Sequence, residues 1–154
     1  MPIIWPERYA PDRVAAKVSN EIAISAAPDI VWSWLVRARA WPSWYSNSRD
    51  VDIAGGAAEL THGASFRWRT FGVLVTSTVR EFVPHERIAW DGTATLLDVY
   101  HAWLIELRPG GCWVLTEEHQ NGLAARAQAL FMPNRMHAGH DDWLKRLKAC
   151  AESA

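Results

Sequence analysis

Cysteine is scarce in this chain: only Cys112 and Cys150 occur among 154 residues. Neither has the spacing of a metal or redox pair, and both read as reduced, small, partly buried side chains. An excess of one charge is also missing. Sixteen basic residues face seventeen acidic ones, for a net charge of −1. The one short basic stretch, Lys145-Arg146-Leu147-Lys148, reads as a solvated helix face, so nucleic acid is a disfavoured partner. No apolar run approaches the roughly 18 residues of a membrane span. The first eight residues lack a charged segment followed by an apolar one, so no signal peptide is expected and the setting is read as cytoplasmic. No internal repeat or low-complexity segment is present.

What the chain has in excess is tryptophan, ten residues in all. Each carries a large apolar surface and an N–H that wants a partner when buried. Most are expected to pack a core. The remainder suit the walls of a cavity for a flat, apolar ligand. At this length one domain with a real core is expected, burying roughly 70% of the unfolded surface.

Prolines at 2, 6 and 11 exclude helix from residues 1–17 and predict an extended arm that lies on the body. Residues 18–25 alternate as a first strand, with Asn20, Ile22 and Ile24 on one face. Pro28 opens a helix whose buried side is Val31, Trp32, Trp34 and Leu35. Pro42 interrupts it, leaving residues 41–45 as a short second helix or an aromatic turn. Six further strands follow, over residues 50–54, 65–71, 73–83 and 87–91 and then a hairpin folded at Pro109-Gly110-Gly111. From Leu123 the period becomes helical and runs to about Ala151. Pro133 should kink or split that helix.

The hairpin carries the chemistry. With Leu107 opposite Cys112, Ile105 faces Val114, Trp103 faces Thr116 and His101 faces Glu118, with Cβ atoms about 4.5–5.5 Å apart. A three-residue loop would instead oppose His101 to His119 and Trp103 to Glu117. In either register one face is apolar near the turn and polar at its far end. A carboxylate beside an imidazole raises its basicity and fixes its tautomer, which suits general acid–base work on a proton α to a carbonyl. A structural hydrogen bond would use the same pair.

The order strand, two short helices, six strands, long helix is that of an α+β helix-grip: a curved seven-stranded antiparallel sheet wrapped around a C-terminal helix, with a cavity between. The sequence resembles the START-like (SRPBCC) superfamily, and within it the bacterial polyketide cyclase/dehydrase-like branch. The resemblance rests on Ile24-Ser-Ala-Ala-Pro-Asp-Ile-Val-Trp32, Arg39-Ala-Trp-Pro-Ser-Trp44, Val79-Arg-Glu-Phe-Val-Pro84 with Arg87-Ile-Ala-Trp90, the Gly110-Gly111 hairpin with Thr116-Glu117-Glu118, and Trp143-Leu-Lys-Arg-Leu-Lys148. It covers residues 18–152, the ligand-binding domain that follows the arm.

The resemblance implies that the residue after the Gly-Gly turn faces the cavity. That sends Cys112, Val114, Thr116 and Glu118 inward. It leaves Trp113 and Leu115 outside, for the arm, through Trp5 or Ile3, or a second subunit to cover. It also implies that Trp41, Trp44 and Tyr45 form one rim of the cavity. Trp68, Trp90 and Trp103 occupy inward strand positions, and Met132, Met136 and His140 lie on the inward face of the last helix.

The expected function is binding of a small hydrophobic, aromatic or polyketide-like molecule, with cyclisation or dehydration as the chemistry. His101 would be the acid–base group and Glu118 its orienting partner. The alternative is a non-catalytic carrier or sensor of such a ligand, and a weaker one is an interaction module using the arm. Two histidines and Glu118 could in principle hold a metal, but no short ligand spacing supports one. A hydrogen-bonded His140 lining the pocket is preferred, and no cofactor is expected. The protein would be a monomer or homodimer.

Overall fold

The computed structural model describes residues 2–154. Seven antiparallel strands form one curved sheet in the order β1-β7-β6-β5-β4-β3-β2. They are β1 (Ala16–Ile24), β2 (Ser48–Ile53), β3 (Ser65–Thr70), β4 (Val73–Val83), β5 (Arg87–Ala94), β6 (Leu97–Arg108) and β7 (Gly111–Asn121). Helix α1 (Pro28–Val36) and a 3-10 segment (Ala38–Ser43) carry the chain from one sheet edge to the other. Helices α2 (Leu123–Phe131) and α3 (Arg135–Glu152) close the concave face.

Local chemistry explains these boundaries. Pro28 stands in the first turn of α1, where its missing N–H costs nothing. Beyond Val36 the backbone leaves the helical region at Arg37, and the Trp41 indole N–H donates to the carbonyl of Leu35 at 3.0 Å. A helix-end carbonyl is thereby satisfied, and the ring is drawn into the core. Pro133 splits the C-terminal helix in two. It forces Met132 out of the α region (φ −139°, ψ 59°), and α3 restarts at Arg135. The elbow leaves Leu130, Phe131 and Met132 exposed.

The register of β6 on β7 pairs His101 with Glu118, Trp103 with Thr116, Ile105 with Val114 and Leu107 with Cys112. The loop is Pro109-Gly110, with Gly110 at φ 81°, a conformation that glycine adopts without strain. The alternative pairing of His101 with His119 does not occur. Gly111 is required for a second reason: a Cβ there would stand 2.1 Å from the carbonyl oxygen of Ile24, at the end of β1.

The N-terminal segment departs from expectation in form and in place. It contains a 3-10 turn at Glu7–Tyr9, and it packs at the far end of the sheet's outer face from Trp113. Trp5 stacks on His119 with ring centroids 3.5 Å apart. Tyr9 packs on Tyr100, beside Ala89 and Ala102. The His119 Nδ1–H donates to the carbonyl of Tyr9 at 2.7 Å. Trp113 is instead half-buried beneath the Arg108 guanidinium, 5.9 Å from its ring.

Trp5→Ala is therefore expected to destabilise the protein by about 1–2 kcal/mol, from lost area and one stacked pair. It should leave the environment of Trp113 unchanged. Urea unfolding and the accessibility of Trp113 to a fluorescence quencher check both statements.

Six tryptophans are buried: Trp32, Trp41, Trp68, Trp90, Trp103 and Trp143. Trp143 of α3 is the hub. It stacks on Tyr45 and meets the edges or faces of Trp41, Trp68, Trp90 and Trp103. Among the described residues no helix is long and apolar enough to cross a membrane.

Candidate functional site

At the wide end of the β6–β7 hairpin, three ionisable side chains from three elements converge. His101 comes from β6, Glu118 from β7 and His140 from α3. The two histidines are 1% exposed and Glu118 is 7% exposed. Glu118 Oε2 lies 3.1 Å from His101 Nδ1 and 3.5 Å from His140 Nε2. The imidazoles face one another at 4.7 Å with planes 20° apart.

Period two along β7 puts Thr116 and Gln120 on the same face as Glu118. The Gln120 amide donates to Glu118 Oε1 at 2.6 Å. Thr116 Oγ1 lies 2.6 Å from His101 Nε2. With the His101 Nδ1–H donating to Glu118, Nε2 is left to accept from the Thr116 hydroxyl. The result is a buried chain, Thr116–His101–Glu118–Gln120, with His140 beside it. His140 Nδ1 meets no hydrogen-bond partner among the described residues.

Burial holds His101 well below the ordinary imidazole range, to about 3, against the opposing pull of Glu118. The imidazole is therefore neutral near neutrality. Burial pushes the Glu118 carboxyl up, but the hydrogen bonds from His140 and the Gln120 amide, reinforced by either imidazole when it is protonated, outweigh it. Together they hold Glu118 at about 2. Near neutrality the site is an ionised Glu118 carboxylate beside a neutral His101.

Two cavities meet at this carboxylate. One, of about 330 Å³, lies between the sheet and α2, with Trp68, Val75, Trp90, Val99 and Phe131 among its walls. The other, of about 380 Å³, lies between β1 and the α2–α3 elbow and is more polar, with Lys17, Ser19 and His137 among its walls. Glu118, Gln120, Gln128, Met132 and Met136 line both.

The cavity walls thus include Trp68, Trp90, Glu118, Met132 and Met136 of the residues singled out from sequence. Trp41, Trp44 and Tyr45, expected at a rim, line neither cavity. Trp41 is fully buried among Phe66, Trp68, Trp90 and Trp143. Tyr45 stacks on Trp143 at 4.7 Å, and its hydroxyl donates to the carbonyl of Gly139. Trp44 packs edge-on against Trp34. The reason is steric: Trp41 and Trp143 fill the middle of the grip and confine open space to the elbow end.

Trp103, Thr116, His101 and His140 likewise contribute no cavity wall and sit one layer behind Glu118. The order of the His101–Glu118 pair is thereby reversed from expectation: Glu118 faces the open space and His101 stands behind it. Sequence reasoning missed Gln120, although period two from Glu118 points to it. It also missed Gln128, which lines both cavities, and Phe71, a wall of the cavity beside α2, for which no sequence signal exists.

The family model described as polyketide cyclase / dehydrase and lipid transport matches residues 15–152. Among solved structures, a hypothetical protein from Helicobacter pylori, jhp0584, is 33% identical. Its match covers 98% of this chain and 96% of that one, with a TM-score of 0.92. An uncharacterised protein from Rhizobium leguminosarum is 18% identical over 90% of this chain and 95% of its own, with a TM-score of 0.70. The di-domain ARO/CYC protein StfQ of the steffimycin biosynthetic pathway is 15% identical, with a TM-score of 0.72. That match covers 89% of this chain and 51% of StfQ. Among curated proteins, none matches the sequence.

Proposed function

Because the chain belongs to the polyketide cyclase / dehydrase and lipid transport family, we propose that it binds a small hydrophobic, aromatic or polyketide-like molecule at the elbow cavities. Glu118 receives a hydroxyl of that ligand. The observation that carries this reading is the position of Glu118, among the described residues the one charged side chain lining both cavities, beneath walls of Trp68, Trp90 and Met136. An apolar cavity ending on a few fixed polar groups is the usual form of a small-molecule site. A buried carboxylate open to the cavity favours a phenol or enol O–H over an ether, which would leave the acceptor unpaired.

Binding without chemistry is the stronger form of this reading. A carboxylate held at about 2 is a weak base at neutral pH. Acid–base catalysis of cyclisation or dehydration has one observation in its favour. The Thr116–His101–Glu118 chain would let His101 position the carboxylate and respond to its protonation.

Hydroxylated aromatic compounds are expected to quench tryptophan fluorescence and to bind at least about 10-fold more tightly than their O-methylated analogues, the value of one net charged hydrogen bond. Glu118→Gln should remove that preference while keeping apolar binding. Equal affinity for both sets in the wild type would overturn the reading. Mass analysis of the same samples separates a carrier, which returns the compound unchanged, from a dehydrase, which returns it less one water.

A further inference from the structure

We propose that His101, Glu118 and His140 form a binding site for a divalent first-row transition-metal ion of the zinc class, where the two cavities meet. Their potential ligand atoms all lie within 4.8 Å of one another, and all three residues are buried. Two ligands of one ion with bonds of about 2.1 Å stand roughly 3.0–3.4 Å apart, depending on whether the geometry is octahedral or tetrahedral. Of the observed separations from Glu118 Oε2, 3.1 Å lies inside that range and 3.5 Å just above it. The longer one exceeds the 2.7–2.9 Å of a good charge-assisted hydrogen bond. The two histidine nitrogens, within 4.8 Å of one another, would have to approach by up to about 1.4 Å to share an ion.

The surroundings also suit an ion. A ligating imidazole ordinarily donates its second N–H to a neighbouring oxygen. Thr116 Oγ1, 2.6 Å from His101 Nε2, is such an oxygen, and its presence would turn the Nδ1 lone pair inward. The Gln120 amide holds the second carboxylate oxygen at 2.6 Å, which leaves Oε2 to the ion. Two neutral imidazoles and one carboxylate leave a divalent cation with one net positive charge, and this donor set suits zinc, cobalt or ferrous iron rather than calcium or magnesium. Three protein ligands leave positions open, and Glu118 lines both cavities, so water or a ligand oxygen could take a fourth. Sequence spacing offered no sign of this site because its ligands come from β6, β7 and α3.

The proposal stands apart from ligand binding, and its test uses no ligand. The whole chain, stripped with a chelator, is titrated with Co²⁺. One equivalent should bind, with visible d–d bands of a four- or five-coordinate centre, and Zn²⁺ should displace it. His140→Gln and His101→Gln should each weaken binding at least 100-fold. Thr116→Val, which removes only the oxygen behind His101, should weaken it about 10-fold or more. Replacing the exposed His62, as His62→Gln, which lines neither cavity, should change nothing. The proposal is overturned if the wild type shows no stoichiometric d–d spectrum, or if the spectrum survives His140→Gln. Should the inner variants fail to fold, the wild-type titration still decides.

Discussion

Trp143→Ala is expected to cost about 3–5 kcal/mol, at the upper end for a buried aromatic truncation. The ring is 1% exposed and touches most of what holds the grip closed. It stacks on Tyr45 at 4.7 Å and 12°, and it lies 5.0 Å from Trp103, 5.2 Å from Trp41 and 5.5 Å from His101. Each such aromatic pair contributes about 0.5–1.5 kcal/mol beyond area burial. The partners come from different elements, so they cannot all collapse into the hole. For a chain of this size the loss corresponds to a fall in Tm of roughly 6–20 °C.

The indole N–H of Trp143 has no hydrogen-bond partner among the described residues, which makes the prediction sharper. Trp143→Phe gives up area but also removes a buried unpaired donor, so it should cost under about 2 kcal/mol. Trp113→Ala, on the half-buried outer face, should cost about 1 kcal/mol or less. Urea midpoints at constant m-value give the order. Equal losses for Trp143→Ala and Trp113→Ala would refute the hub.

The same ring shows where sequence reading stopped. Alternation on β6 and β7 and the turn at Pro109-Gly110 narrow the pairing to two registers, and the inward position after the turn selects one. That choice depended on a family resemblance, because period two alone cannot say which glutamate faces in. The break at Pro133 was legible because proline removes an N–H whatever its surroundings.

The role of Trp41 and Tyr45 was not legible. An aromatic residue in a short helical turn has the same signature whether it walls a cavity or fills it, and the outcome depends on Trp143, about one hundred residues away in the chain. The resting place of the arm follows from the pairing of β1 with β7, which the sequence alone does not show. Ala16 pairs with Gln120 and Ala23 with Trp113. The chain before Ala16 therefore leaves β1 beside His119, about 20 Å along the strand from Trp113 at roughly 3.4 Å per residue.

The second large effect is expected from Glu118→Ala, which should destabilise the metal-free protein by about 2–6 kcal/mol, the cost of leaving the buried His101 and Gln120 donors unpaired at about 1–3 kcal/mol each. The variant removes the acceptor of the Gln120 amide at 2.6 Å and of the His101 Nδ1–H at 3.1 Å. Both histidines and Gln120 stay buried, so their donors have no ready exchange for water. Glu118→Gln keeps an acceptor oxygen and the side-chain volume, and should cost less than half as much.

A double-mutant cycle tests whether the loss belongs to the cluster or to the cavity left behind. If His101 matters mainly as a donor to this carboxylate, His101→Ala made on top of Glu118→Ala should cost about 1–3 kcal/mol less than His101→Ala in the wild type. Additive losses would mean that Glu118 stabilises the fold by filling space. The cycle is run with chelator present, so that the coupling reports hydrogen bonds among Thr116, His101, Glu118 and Gln120 and no bound ion adds its own linkage to the unfolding free energy.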